Sequence, residues 1–149
     1  MVMSYSGTYS MFKIKVKAKK LWKNKDIALV HYAAEYAVKR LGLNYSPIPI
    51  IIRLKGGLGE DFGYCIDLED KICISISKNG NYLKTLFYEL EHARQYVDDE
   101  LDLEHTHAMW KGHLYKRKYK DYYNEPWEVK ARKVEQKFYR AFTKKILDF

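Results

Sequence analysis

Glu89 and His92 lie three residues apart within TLFYELEHARQYVDDEL, residues 85–101. Their surroundings come close to a pattern with known chemistry. In H-E-x-x-H, histidines at i and i+4 share one helix face and can bind a single zinc ion, while the glutamate beside the first holds an attacking water. The metal lowers the pKa of that water and polarises a scissile carbonyl. Here the five residues are Tyr88-Glu89-Leu90-Glu91-His92, so a phenol occupies the place of the first imidazole. Phenols titrate near pH ~10 in water, and they ligate zinc weakly until the metal displaces the proton.

An element must hold these groups, and the spacing predicts a helix over Asn81–Leu101. Leu83, Leu86, Phe87, Leu90, Ala93, Val97 and Leu101 form one apolar stripe. At about 100° per residue, Tyr88, His92 and Gln95 gather on the other side, flanked by Thr85, Glu89 and Tyr96. A solvated face would carry mixed Lys and Glu; this one carries Tyr, Glu, His and Gln.

The flanking sequence supplies a sheet and two more helices. From Phe12 to Lys19 apolar residues alternate with lysines, the period of a strand with one wet face, and lysines there protect a sheet edge from pairing with other chains. A helix is expected over Lys25–Leu41, from the spacing of Ile27, Val30, Ala34, Ala37, Val38 and Leu41. Ile48–Leu54 reads as a strand. Phe62–Leu68 and Lys71–Ser77 read as a hairpin turning at Glu69-Asp70. Residues 98–121 show no period and read as irregular, with His105, His107, His113 and Trp110 among them. A last helix opens at Pro126, which suits a first helical turn, and runs to Phe142 along Trp127, Ala131, Val134 and Phe138. Residues 1–11 lack any period and are expected as a loose arm before a single domain over residues 12–149.

Composition narrows the function classes. The 149 residues, 47% of them hydrophobic, suffice for one domain with its own core. There is no apolar run of about 18 residues, so no membrane span is expected. The first residues lack the apolar segment of a signal peptide, so the expected location is cytoplasmic, or in a virion. Cys65 and Cys73 form no CxxC pair and are expected as free thiols. A net charge of +8 and a pI near 9.3 favour acidic partners, nucleic acid among them, through basic patches such as KIKVKAKKLWKNK and KGHLYKRKYK. No recognisable nucleic-acid module accompanies those patches.

Three blocks in order carry a resemblance. Glu89, Leu90, His92, Gln95 and Tyr96 are followed by Trp110, Gly112 and Tyr115 in WKGHLY, and then by Pro126, Trp127 and Glu128 in PWEVKA. Over Phe62–Phe142 the chain resembles the small gluzincin-type metallopeptidases of bacteriophages and bacteria. The resemblance implies an α+β, zincin-like single domain: a small antiparallel or mixed sheet with an N-terminal helix, an active-site helix and a C-terminal helix. It implies zinc as cofactor, His92 and Glu128 as ligands and Glu89 as general base. It also implies that the strand Lys71–Ser77, through Ile74, Ser75 and Ile76, lies along an extended substrate.

Tyr88 is the departure. With His92 and Glu128 alone, the site has one protein ligand fewer than a typical catalytic zinc centre. Three readings remain. In the first the site is degenerate, Tyr88 bonds to His92 or Glu128, and the domain serves as a binding, structural or virion component with a protein or peptide partner of virion or host origin. In the second, zinc still binds, with Tyr88 as phenolate or with His105, His107 or His113 recruited, and hydrolysis persists. In the third, the basic, tyrosine-rich surface binds nucleic acid. The first is the leading expectation, with Glu89, His92 and Glu128 converging and Tyr88 directed into the same cleft.

Overall fold

The computed structural model describes residues 2–5, 14–19, 21–57 and 61–147. Five strands form the main sheet: β1 (Val2–Tyr5), β2 (Ile14–Ala18), β3 (Ile50–Lys55), β4 (Gly63–Asp67) and β5 (Ile72–Ser77), in the order β1-β2-β3-β5-β4. β2, β3 and β5 run parallel, and β1 and β4 are antiparallel to their neighbours. Helix α1 (Asn24–Arg40) links β2 to β3, as a parallel pair requires. The hairpin turns at Glu69, whose φ is +68°, and closes with Leu68 N–H donating to the Lys71 carbonyl.

Two expectations about the sheet change. The lysine-rich strand β2 does not form an edge, because β1 covers its outer side and β3 its inner side. The segment read as a loose arm contributes β1; the remainder of residues 1–11 lies outside the described residues. Lysines on the wet face leave a strand's backbone groups free, so alternation alone does not distinguish an edge strand from its neighbour.

Helix α2 (Tyr82–Val97) is capped by Asn81, whose side chain accepts the Lys84 N–H at 3.2 Å. It stops four residues short of the expected end. Asp99 takes a left-handed φ of +55°, the Glu100 N–H donates to the Gln95 carbonyl, and Leu101 already belongs to the next strand. The region read as irregular is a second sheet of short strands, β6 (Leu101–Leu103), β7 (His107–Trp110) and β8 (His113–Lys116), paired antiparallel in that order. Three or four residues per strand are too few for a period to register. A 3₁₀ turn over Tyr119–Asn124 leads into α3 (Pro126–Leu147). No helix among the described residues is long and apolar enough to cross a membrane.

The main core lies between the sheet and the three helices. Tyr36 of α1, Phe87 of α2, and Phe138 and Phe142 of α3 meet with ring centroids 5.3–6.3 Å apart. A smaller core of Leu101, Ala108, Trp110 and Trp127 pins the second sheet to the start of α3, and so fixes the helix turn that carries Glu128. Cys65 pairs across the hairpin with Ile74, and Cys73 with Ile66, so the two thiols face opposite sides of the sheet and both are free. Because Phe87 is fully buried at the centre of the aromatic cluster, Phe87→Ala should lower unfolding stability by about 3–5 kcal/mol in urea titrations. A loss below about 1 kcal/mol would show that the cluster does not hold the helices together.

Candidate functional site

The polar face of α2 is not open to solvent. Glu89 is 5% exposed, His92 7% and Gln95 fully buried, because β4, the second sheet and α3 close over that side of the helix. β4 comes very near: a Cβ built on Gly63 would lie 2.5 Å from Thr85 Cγ2 and 2.8 Å from the Ser75 carbonyl. Only glycine permits that approach.

Gln95 orients the site. Its side-chain amide donates to Glu91 Oε2 at 3.2 Å and to the Trp127 carbonyl at 3.1 Å. Those two donations fix which end is oxygen, and that oxygen lies 2.9 Å from His92 Nδ1. His92 Nδ1 therefore carries a proton and donates it to Gln95. The other ring nitrogen, Nε2, faces Glu128 Oε1 at 3.3 Å. Two bare acceptors would repel at that separation, so the contact favours a proton on one of the two groups. Burial lowers the His92 pKa, against the Gln95 hydrogen bond and the Glu91 charge, which raise it. Burial pushes Glu128 up to about 7, against Arg132.

Glu89 stands beside this pair on the wall of a cavity of about 140 Å³, which His92, Glu128, Cys65 and Tyr122 also line. Burial and then the Asp61 charge push Glu89 up to about 8. One oxygen of Glu89 and one of Glu128 are buried without a hydrogen-bond partner. A carboxyl held in its neutral form is how such burial is tolerated.

Glu89, His92 and Glu128 thus converge on one cavity, as the sequence predicts. Tyr88 lies edge-on against the His92 ring, with centroids 4.9 Å apart, but it is not among the residues that line the cavity. His107 and His113 are exposed on β7 and β8. His105 borders a separate, larger groove of about 730 Å³ together with Arg117. None of these three histidines lines the small cavity. Among the described residues, no group of three or more His, Cys, Asp or Glu side chains is placed to hold a metal ion. A zinc ion implied by the motif would find His92 and Glu128 as its ligands, short of the three protein ligands of a catalytic centre. The residues present do not fit that group.

The strand assigned to substrate pairing needs correction. β5 is flanked by β3 and β4, and Ile74, Ser75 and Ile76 are all buried. Its backbone groups are already paired, so no peptide can add there. Among the described residues the edge strand beside the cavity is β4, where Tyr64 and Ile66 are exposed.

Sequence reasoning missed three contributors, Asp61, Tyr122 and Arg94. Tyr122 lines the cavity from a 3₁₀ turn, and Asp61 acts on Glu89 through its charge from a loop; neither segment carries a period. Arg94 binds Glu91 through two hydrogen bonds of 2.6 and 2.8 Å and also contacts Asp98 and Glu100, locking the carboxylate that Gln95 touches. The Y-E-L-E-H-A-R spacing places Glu91 and Arg94 at i and i+3, the available signal for this pair.

Comparison with family models, with curated proteins and with solved structures finds no match to this chain.

The raised carboxyls predict a pH dependence. Folding favours the protonated forms of Glu89 and Glu128, so the stability they lend is complete below the ordinary carboxyl value of 4.5 and is lost as pH rises through about 7 to 8. Glu89→Gln removes one of these ionisations. Its stability relative to wild type should rise from near zero at pH 5 to about 3 kcal/mol at pH 8 in denaturant unfolding. A difference that does not change with pH would contradict the raised value.

Proposed function

We propose that this chain is a zincin-related domain in which a shared proton takes the place of a catalytic metal, and that it works as a binding module for an extended polypeptide. The observation that carries this reading is the 3.3 Å contact between His92 Nε2 and Glu128 Oε1. The two groups that the gluzincin resemblance makes ligands meet each other directly. His92 Nδ1 is tied to Gln95, so Nε2 is the one nitrogen available for a metal, and it is engaged.

Tyr88 supports the same reading. Its ring packs edge-on against His92 and is not among the residues that line the cavity, so it brings no ligand there. A protein centre that loses one ligand forfeits about 3 kcal/mol of binding, judged from the 10–16 kcal/mol shared among the ligands of structural zinc sites. Glu89, pushed up to about 8, is mostly protonated at neutral pH, and a general base must be ionised to act.

The binding edge is β4. Among the described residues no strand lies on its outer side, and the hairpin presents Tyr64, Ile66 and Leu68 to solvent with Phe62 just before it. An exposed edge with apolar side chains suits strand addition, with backbone hydrogen bonds giving affinity. A polypeptide lying there would pass the mouth of the Glu89–His92 cavity without being cut.

Zinc titration and a peptide-cleavage assay test this. Wild type should bind zinc at well below one ion per chain and cleave no peptide. Tyr88→His should bind zinc more than about 100-fold more tightly, the equivalent of one restored ligand. Stoichiometric zinc in wild type, with cleavage abolished by Glu89→Gln, would establish a working peptidase and defeat the reading.

A further inference from the structure

The outer face of α3 carries cations in a regular array. Lys130, Lys133, Lys137, Arg140 and Lys144 follow one another at intervals of three, four, three and four residues, the spacing that keeps side chains on one side of a helix. All five are exposed. Fourteen residues at 1.5 Å each make a straight stripe about 21 Å long with a charge every 5 Å or so. None of the five takes part in an ion pair among the described residues.

Two shallow, open depressions that share Lys133 and Lys137 make up the groove along the stripe. Its outer part, about 410 Å³, is walled by Lys133, Lys137, Arg140 and Lys144 with Gln136 and Ala141, and no acid enters it. Its inner part, about 390 Å³, adds Arg40 from the end of α1 and Lys111 from the β7–β8 turn. Six cations there face two carboxylates, Glu91 and Glu100, and both carboxylates are already bound to Arg94. The acidic residue of α3 nearest the stripe, Glu135, lies within the field of Lys84 and Arg132 on the other flank.

We propose that this groove binds the phosphate backbone of duplex nucleic acid without reading its sequence. A helix face bearing free cations in a line neutralises successive phosphates and releases their counterions. Lysine is depleted and aromatic residues are enriched at the centres of protein interfaces, and the outer groove shows the reverse. Single strands are held by aromatic platforms on which bases stack, and the exposed tyrosines Tyr119, Tyr122 and Tyr123 lie in the 3₁₀ turn before α3, outside this groove. Gln136 is the one side chain of the outer groove with both a donor and an acceptor for base edges, too little for sequence readout.

The proposal stands apart from the Glu89–His92 cavity, so Glu89→Gln should leave it untouched. Fluorescence anisotropy with a labelled duplex of arbitrary sequence, between about 50 and 200 mM salt, should give a log–log slope near −3 to −4, from about four neutralised phosphates. The triple variant Lys133→Glu, Lys137→Glu, Arg140→Glu should weaken binding at least about 30-fold at low salt and cut the slope by about 3. The matching glutamine triple should lose affinity in the same direction, which covers any misfolding of the reversed-charge protein. Reversal of Lys116, Lys118 and Lys120 should change affinity less than about threefold. Four outcomes would each overturn the proposal: no binding at low salt, an α3 variant equal to wild type, a control variant that loses as much, or polyglutamate binding as tightly as duplex, which would assign the groove to an acidic protein.

Discussion

The side-chain amide of Gln95 ties His92 and Glu91 of α2 to the first turn of α3. It donates to Glu91, and so to the Arg94 network at the end of α2; it donates to the Trp127 carbonyl, and so to the first turn of α3; and its oxygen takes the His92 proton. Because it is fully buried, each of these bonds is made without competition from water, and losing any one would leave an unsatisfied polar group inside the protein. The tautomer of His92 depends on it, and its bond to the Trp127 carbonyl holds the first turn of α3, which carries Glu128, against α2.

From that constraint the chemistry of the cavity follows. With Nδ1 committed as a donor, Nε2 has to find a proton or a cation, and Glu128 is the group it faces. Burial raises both nearby carboxyls, so protons are retained there at neutral pH. The cavity therefore brings an imidazole and a carboxyl within 3.3 Å of each other, beside a second carboxyl whose burial favours its neutral form. The same helix that brings Glu128 inward presents its cationic stripe outward, so α3 divides the surface into an enclosed carboxyl-rich cavity and an exposed cationic groove.

The sequence made the convergence legible because α2 and α3 are long and strongly periodic. Glu89, His92 and Gln95 share a face by helical spacing alone, and Pro126 marks where α3 must begin. Three things were not legible. The end of α2 is set by a left-handed Asp99, which interrupts an apolar stripe that Leu101 would otherwise extend. The second sheet has strands of three or four residues, and its core depends on Trp110 meeting Trp127 across a long stretch of chain. The order of the main sheet is a non-local matter: β4 lies outside β5 although it precedes it, so the strand next to α2 in sequence is not the edge strand in space. Hydrophobic pattern reports which face of a strand is buried and says nothing of which neighbour it has.

The central claim is that His92 Nε2 is engaged by Glu128 through a proton and is closed to a metal. Nitrogen-15 NMR of the His92 ring, recorded on the metal-free protein and again with equimolar zinc, tests it directly. The account predicts a protonated Nδ1 and a hydrogen-bonded Nε2 whose resonance stays in place when zinc is added. Movement of the Nε2 resonance to a metal-bound position at equimolar zinc would contradict it.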